Sequence, residues 1–267
     1  MFALDAFLRE GFTALPESNG NSAMSPGNRA NGSAVKKALE RVASSKRAEG
    51  FQRFFKAGPG DYAEGDQFIG VTVPDQRKIA KQFRDLPREE IDSLLADPLH
   101  EYRLTAIFMV VGQFERSKNR EDHKSWVDYL VSRTEYINNW DLVDSCAYQV
   151  IGAYLVHERD RSLLDELVAS SNLWKQRMAV VANKALIKQQ EFGPIQKIAK
   201  KLLSHKHDLI HKAIGWMLRE MGEQDLSVLL GFLDTHATKM PRTMLRYAIE
   251  KLPDAKRQEY LAMKKTI

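Results

Sequence analysis

Four residues of the chain carry side chains that together could hold a cation on a nucleic acid. Trp140 and Trp216 offer indole faces, Asp144 offers a carboxylate, and Arg177 offers a guanidinium. Each lies at or beyond the edge of an apolar helical stripe instead of at its centre. Indole faces attract cations, a carboxylate stabilises positive charge, and a guanidinium matches phosphate oxygens. These residue types therefore predict a site for a cationic base on a nucleic-acid backbone.

The segment around Asp144 places its carboxylate between two aromatic side chains. Asn139 is a good N-cap, so Trp140 and Asp141 fall in the first turn of a helix, where an acidic residue meets the helix dipole favourably. At about 100° per residue, Asp144 lies on the border of the apolar stripe, four residues after Trp140 and four before Tyr148. An aromatic column with a carboxylate at its middle suits a bound cation. An ion pair with a Lys or Arg of a neighbouring repeat is the structural alternative.

The helix that begins at Leu173 predicts a row of positive charge. Trp174 belongs to the apolar stripe of this helix and is expected in the core. Arg177, Lys184 and Lys188 line up beside that stripe, at spacings i, i+7 and i+11. Such a row could follow a nucleic-acid backbone, because guanidinium and ammonium groups both bind phosphate. A solvated helix face is the alternative.

Trp216 points roughly 120° away from the apolar centre of its helix. It shares its face with Lys212 and Arg219. Exposing a tryptophan is costly, so its ring either packs into the adjacent repeat or faces a ligand. We expect an exposed ring beside the two cations, with packing against a neighbour as the alternative.

The spacing of apolar residues predicts helices almost throughout the chain from residue 34 onward. Breaks recur every dozen to twenty residues, so the helices pair into units of roughly 35 residues, as in helical-repeat arrays. The candidate pairs are Glu89–Ala96 with Tyr102–Arg116, Glu121–Arg133 with Trp140–His157, Ser162–Ala169 with Trp174–Gln190, Pro194–Leu203 with Asp208–Met221, and Leu226–Leu233 with Pro241–Leu252. We predict an all-α curved solenoid whose second helices line a concave basic groove. A compact helical bundle is the competing architecture.

Positive charge is concentrated in the last third of the chain. Residues 174–267 carry 18 Lys and Arg against 9 Asp and Glu, whereas the formal net charge of the whole 267-residue chain is only +5. This asymmetry favours a polyanionic partner, although a basic face can also keep a protein soluble. Residues 16–33 are dominated by Ser, Asn, Gly and Pro and cannot bury enough apolar surface to order. We therefore predict an N-terminal extension over 1–33 and one domain over 34–267.

The composition excludes several other classes. The longest apolar runs are far shorter than the roughly 20 residues of a membrane span, and the start of the chain does not read as a signal peptide. The single cysteine, Cys146, supports neither an internal disulfide nor a zinc motif and is expected in the core. His205, His207 and His211 do not share one helix face, so they predict no metal site. We expect a cytoplasmic protein without metal or cofactor.

At these residues the sequence resembles the AlkD-type DNA alkylation repair glycosylases, which are built from HEAT-like helical repeats. The resemblance covers roughly 35–265 and is most specific in Asn139-Trp-Asp-Leu-Val-Asp144, Leu173-Trp-Lys-Gln-Arg177 and Ile214-Gly-Trp-Met-Leu-Arg219. Phe68-Ile-Gly-Val, with Pro74 and Arg77, is similar to an early segment of the family. Phe54 or Phe55 stands where the family pattern leads us to expect a tyrosine, which keeps an aromatic wall but removes a hydroxyl.

The resemblance implies a monofunctional glycosylase for cationic N3- and N7-alkylated purines in duplex DNA. Asp144, Trp140 and Trp216 match the positions that contact the lesion-bearing nucleotide, and they would stabilise the sugar as positive charge develops on it. Arg177 would hold the neighbouring phosphate. Family members work without extruding the base into a tight pocket, unlike the usual base-flipping enzymes.

Further cations complete the expected interface with double-stranded DNA. They are Lys184, Lys188, Lys212, Arg219, Arg242 and Arg246. The expected protein is a monomer that acts in base excision repair and associates with the nucleoid when bound to DNA. Two other functions stay open at this point: a non-catalytic binder of DNA structure from the same superfamily, and a HEAT-type protein–protein scaffold.

Overall fold

The structure is a computed structural model that describes residues 31–263. Within these residues the regular elements are helical, and β-type pairing is limited to an isolated bridge between Gln67 and Leu99. The predicted all-α class is therefore confirmed. The chain divides into two compact units, one ending at Arg116 and one beginning at Ser117. Of the predicted extension over 1–33, residues 1–30 lie outside the described residues.

The first unit contains five helices within its described residues. They are α1 (Gly32–Glu40), α2 (Ser45–Phe54), α3 (Val73–Gln82), α4 (Arg88–Leu95) and α5 (His100–Arg116). The long α5 packs against α3 and α4 and is buried along most of its length. Its Glu101 carboxylate accepts hydrogen bonds from the backbone N–H groups of Ile69, Gly70 and Val71. This buried acid orders the Phe68-Ile-Gly-Val segment that leads into α3.

The second unit contains the remaining helices of the described chain. They are α6 (Arg120–Ser132), α7 (Trp140–Asp144), a π-helix (Ala147–Gly152), α8 (Ala153–Val156), α9 (Ser162–Ala169), α10 (Leu173–Lys188), α11 (Gly193–Lys201), α12 (Asp208–Gln224), α13 (Leu226–His236), a 3₁₀ turn (Ala237–Lys239), α14 (Arg242–Ala248) and α15 (Asp254–Ala262). The predicted helical pairs are present, with boundaries that differ by a few residues, except that the helix predicted over Trp140–His157 is divided into α7, the π-helix and α8.

The second helices of these pairs form a layer within the second unit. The π-helix and α7 pack on α10, α10 packs on α12, and α12 packs on α14. The first helices α9 and α13 also pack on this layer, against α10 and α12 respectively. This is the neighbour-to-neighbour packing of a helical-repeat protein. It collects Trp140, Asp144, Arg177 and Trp216 onto three adjacent helices.

Among residues 31–263, no helix is both long enough and apolar enough to cross a membrane.

Candidate functional site

Trp140 and Asp144 lie on α7, and the start of this helix is fixed as the sequence predicts. The Asn139 side chain accepts a hydrogen bond from the Trp140 N–H at 2.8 Å, which satisfies one of the unpaired donors of the first turn. Asp141 lies in that turn and is buried. The N-cap therefore sets where Trp140 and Asp144 stand relative to the helices that pack on α7.

The helix expected to run on to His157 is interrupted directly after Asp144. α7 ends there, Ser145 and Cys146 form a turn, and the chain continues as a π-helix. Gly152, at the end of the π-helix, lies so close to α10 that a Cβ atom would stand 2.3 Å from the Ala182 carbonyl oxygen. A π-helix changes the direction of the side chains that follow it. Asp144 and Tyr148 therefore do not share one regular helical column, and this part of the prediction is wrong.

Asp144 forms a bidentate ion pair with Arg177 of α10. The Arg177 Nε atom donates to Asp144 Oδ1 at 2.9 Å, and Nη2 donates to Oδ2 at 2.7 Å. The Nη1 atom of Arg177 donates to the carbonyl oxygen of Leu209 on α12 at 2.5 Å. The Asp144 and Arg177 residues are 0% and 1% exposed. One guanidinium thus connects α7, α10 and α12 inside the protein.

Opposing effects act on the pKa of Asp144. Burial raises this pKa, the charge of Arg177 and its hydrogen bonds lower it, Asp141 raises it, and Lys184 lowers it. Both carboxylate oxygens accept hydrogen bonds from N–H groups of Arg177. A proton on either oxygen would therefore point at another hydrogen-bond donor and not at an acceptor. Arginine stays charged in proteins. The geometry is therefore that of an ionised carboxylate held by a guanidinium.

Two expectations about exposure are wrong. Arg177 does not lie in a surface row with Lys184 and Lys188, because its guanidinium turns inward to Asp144. The Asp144 carboxylate is not open to solvent between two exposed indoles, because α10 covers it. The ion pair named as the structural alternative for Asp144 is present, with Arg177 as its partner.

The Trp216 ring is also buried, at 2% exposure, and so is Trp140, at 6%. The expected exposed ring is wrong because α12 is packed on two sides, against α10 and against α14. A Cβ atom on Gly215 would stand 2.5 Å from both the Met244 carbonyl oxygen and the Tyr247 Cβ atom, so the two helices nearly touch at this point. The indole Nε1 atom of Trp216 donates to the Glu220 carboxylate at 2.8 Å.

A cation already lies over the Trp216 ring. The Lys184 ammonium is 4.8 Å from the centre of this ring and 5.5 Å from the centre of the Tyr148 ring. It is also 3.5 Å from a carboxylate oxygen of Glu220. Lys188 approaches the Tyr148 ring at 6.0 Å. We call Tyr148, Lys184, Trp216 and Glu220 the aromatic cluster.

The other predicted DNA contacts divide into buried and exposed groups. Arg219 is buried and pairs with Glu250 at 2.5 Å, so its expected place on the surface is wrong. Lys212 pairs with Asp208 at 2.8 Å and remains partly exposed. Arg242 donates to the carbonyl oxygen of Leu261 at 3.0 Å. Lys188 and Arg246 are exposed.

Sequence reasoning missed two partners in this site. Glu220 lies four residues after Trp216 and therefore on the same helical face, so that spacing could have revealed it. The Leu209 carbonyl could not have been found, because a backbone acceptor leaves no sequence signal. In the residues that the structure describes, no group of three or more His, Cys, Asp or Glu could hold a metal ion.

The position at which the family pattern led us to expect a tyrosine falls in the first unit. Phe55 is buried and stacks on Phe68 at 5.2 Å between ring centres, whereas Phe54 is 40% exposed. His100 also stacks on Phe68 at 5.0 Å. These rings form a packed group around the start of α5.

Comparison with known proteins identifies the family. The family model described as DNA alkylation repair enzyme matches residues 35–252. The chain belongs to this family. A solved structure described as a predicted DNA alkylation repair enzyme from Enterococcus faecalis is similar over 79% of this chain and 97% of that chain, with a TM-score of 0.65 and 18% identity. No curated protein matches the chain significantly in sequence.

The match to the DNA alkylation repair family spans both units and includes the site. Trp140, Asp144, Arg177 and Trp216 all lie within the matched range. The likeness to the solved structure supports the fold. The family assignment makes DNA the expected partner of this chain.

Proposed function

We propose that the protein is a monofunctional DNA glycosylase that hydrolyses the N-glycosidic bond of N3- and N7-alkylated purines in duplex DNA. Membership of the DNA alkylation repair family supports a role on damaged DNA. The observation that carries the finer proposal is the Lys184 ammonium held over Trp216 beside a carboxylate. The protein has built surroundings for a cation near Asp144, whose two carboxylate oxygens accept hydrogen bonds from the Arg177 guanidinium. An alkylated purine presents such a cation.

A cationic alkylated purine is a good leaving group, so the reaction needs little or no general acid. When the C1′–N bond breaks, its electron pair passes to the base nitrogen and cancels the positive charge of the alkylated ring. Positive charge develops on the deoxyribose instead, where a nearby carboxylate stabilises it. A water oxygen then bonds to C1′ and releases one proton. We assign the electrostatic role and the orientation of that water to Asp144, and the aromatic contacts to Trp140 and Trp216.

This mechanism requires that the deoxyribose can reach the Asp144 carboxylate. Asp144 is fully covered and Trp140 and Trp216 nearly so. Direct contact between the carboxylate and a deoxyribose therefore requires the side chains around it to move when DNA binds. Lys184 is one-fifth exposed and contributes to the charge around Asp144. It is the member of the aromatic cluster that is best placed to move, because its four-carbon chain has several rotatable bonds.

Contacts with the DNA backbone are proposed for the exposed or partly exposed cations. These are Lys188, Lys212, Arg242 and Arg246. Arg177 and Arg219 are assigned to internal ion pairs instead, because both guanidinium groups are buried against a carboxylate. Arg177 is thus a positioning residue for Asp144.

One cleft of the second unit does not fit a DNA-binding role. It has a volume of about 650 Å³ and lies between α6 and α9. Its lining includes Glu121, Asp128, Glu158, Asp160 and Glu166, opposed by two basic residues. Surplus negative charge repels phosphate. We therefore place the DNA contact at the layer of second helices.

A base-release assay on methylated duplex DNA tests the proposal. The expected result is free 7-methylguanine and 3-methyladenine, with abasic sites left in uncut strands. A non-catalytic DNA-structure binder would bind the same duplex and release no base. A protein–protein scaffold would show no steep loss of DNA affinity with salt. The proposal includes a monomer that acts in base excision repair in the cytoplasm, associated with the nucleoid.

A further inference from the structure

Lys184 holds an unusual position for a lysine on a helix of a basic protein. Its ammonium lies over the faces of two aromatic rings, Trp216 and Tyr148, and beside the Glu220 carboxylate. Its side chain is 19% exposed, and that of Glu220 is 20% exposed. A lysine normally keeps its ammonium in water and buries only its methylene stem. Here the charged end itself lies within the aromatic cluster.

The aromatic cluster has the composition of a cation receptor. Ring faces attract positive charge, and the attraction grows when the cation is partly removed from water. Glu220 makes two contacts in this site: it lies beside the Lys184 ammonium, and it accepts a hydrogen bond from the Trp216 Nε1–H at 2.8 Å. That hydrogen bond fixes the carboxylate and the ring relative to each other. The receptor is therefore already assembled in the free protein, and Lys184 is its occupant.

We propose that Lys184 is an internal occupant of the lesion-binding site, which a cationic base must displace. The proposal rests on the proposed function, because it takes the alkylated purine as the incoming cation. Arg177 compensates the charge of Asp144 whether or not Lys184 is in place, whereas Glu220 depends on the cation at this site. An incoming monovalent cation keeps the charge of Glu220 compensated, but a neutral purine that displaced Lys184 would leave that carboxylate without a counter-charge, which is costly in a partly buried site. Displacement of Lys184 therefore weakens the binding of every base, and only a cationic base restores the charge that is removed.

A binding experiment with nucleosides tests the occupant directly and needs no catalysis. The probes are 7-methylguanosine at mildly acidic pH, where it is cationic, and guanosine as the neutral counterpart. Lys184→Ala removes the occupant, so we expect it to bind 7-methylguanosine about tenfold more tightly than the wild type does. Lys184→Arg keeps the charge and should bind like the wild type. Lys197→Ala, which removes an exposed ammonium paired with Asp165, should also bind like the wild type.

The neutral nucleoside provides a second check. Guanosine and 7-methylguanosine must expel the same ammonium from the wild type, so Lys184→Ala should raise the affinity for both by a similar factor and leave the ratio of cationic to neutral binding unchanged. Thermal unfolding of each variant verifies that it is folded. A folded Lys184→Ala variant with unchanged affinity for 7-methylguanosine would overturn the proposal.

A second measurement uses the wild-type chain and does not depend on the variant folding. The Lys184 ammonium lies over the Trp216 ring, so the ε-methylene protons bonded next to it should show an upfield ring-current shift in NMR spectra. Addition of 7-methylguanosine should return them toward ordinary lysine positions. Shifts that do not respond to saturating nucleoside would contradict displacement. Failure of the wild type to release bases from DNA would refute the glycosylase activity, whereas these nucleoside results test the occupant alone.

Discussion

The guanidinium of Arg177 donates hydrogen bonds to both carboxylate oxygens of Asp144 and to the carbonyl oxygen of Leu209 on α12. The pair therefore ties together α7, α10 and α12 in the second unit. It also keeps a negative charge at a fixed place inside the protein, beside two indole-bearing helices. Stability and the proposed chemistry depend on the same two side chains, so experiments must separate the two contributions.

Breaking the pair is expected to destabilise the fold. Asp144→Asn should lower the free energy of unfolding by about 3 kcal/mol, because it leaves the buried Arg177 guanidinium without its counter-charge. Denaturant titration measures this loss. Asp144→Asn combined with Arg177→Met should recover most of it, since neither side chain is then charged. Equal stability of the wild type and the single variant would show that the pair does not hold the helices together.

The close approach of the π-helix to α10 should tolerate no side chain at Gly152. We expect Gly152→Ala to lower the free energy of unfolding by about 1–3 kcal/mol, because the new methyl group would stand 2.3 Å from the Ala182 carbonyl oxygen. Gly231→Ala on α13 is the matched control. Nothing lies within 4 Å of its added Cβ atom, so it should stabilise the protein by about 0.5–1 kcal/mol. Similar effects of both changes would contradict the close packing.

The start of α12 should make stability depend on pH. Burial lowers the pKa of His207 below its ordinary 6.5, and the charge of His205 lowers it further. The folded state therefore takes up a proton less readily than the unfolded chain, so stability is full above pH 6.5 and decreases as the pH falls below it. The His207 Nδ1 atom accepts the Leu209 N–H at 3.2 Å, and protonation removes this acceptor.

His207→Asn provides the measurement for this pH effect. Asparagine keeps an acceptor at the N-cap but does not titrate. Melting temperatures taken from neutral to acidic pH should fall less steeply for His207→Asn than for the wild type. His207→Ala should be less stable even at neutral pH, because it removes the cap. Identical pH profiles for the wild type and His207→Asn would refute this assignment.

Salt dependence distinguishes the surface cations from the internal ones. Lys188→Ala and Arg246→Ala should each reduce the slope of log affinity for duplex DNA against log salt by about 0.9, the value for one lost phosphate contact. Arg219→Ala should instead lower the melting temperature and leave the slope unchanged, because its guanidinium is buried against Glu250. If Arg219→Ala reduced the slope and left the stability unchanged, Arg219 would be a DNA contact after all.

The helical class and the pairing of helices could be predicted from the sequence because both depend on local patterns. Apolar spacing located α9 and α10 nearly to the residue, and the Asn139 cap located the start of α7. The break after Asp144 could not be predicted in this way. The π-helix ends at Gly152, which packs closely on α10, and such a tertiary contact leaves no local pattern in the sequence.

The chemistry of the site was only partly predictable for the same reason. Position on a helical face identified Trp216 and Arg177 as lying off the apolar stripe. It could not show that a second packing surface covers Trp216, or that the Arg177 side chain turns inward to Asp144. In stacked helices, residues beside the main stripe face the next repeat and not solvent. Exposure predicted from one helix is therefore least reliable at these positions.

Release of 7-methylguanine from methylated duplex DNA, measured for the wild type and for the stable Asp144→Asn, Arg177→Met double variant, tests the central claim most directly. The proposed role of the Asp144 charge predicts release by the wild type and almost none by a folded double variant that still binds DNA within a few fold. Release by that variant at the wild-type rate would contradict the account, because the reaction would then proceed without the carboxylate charge.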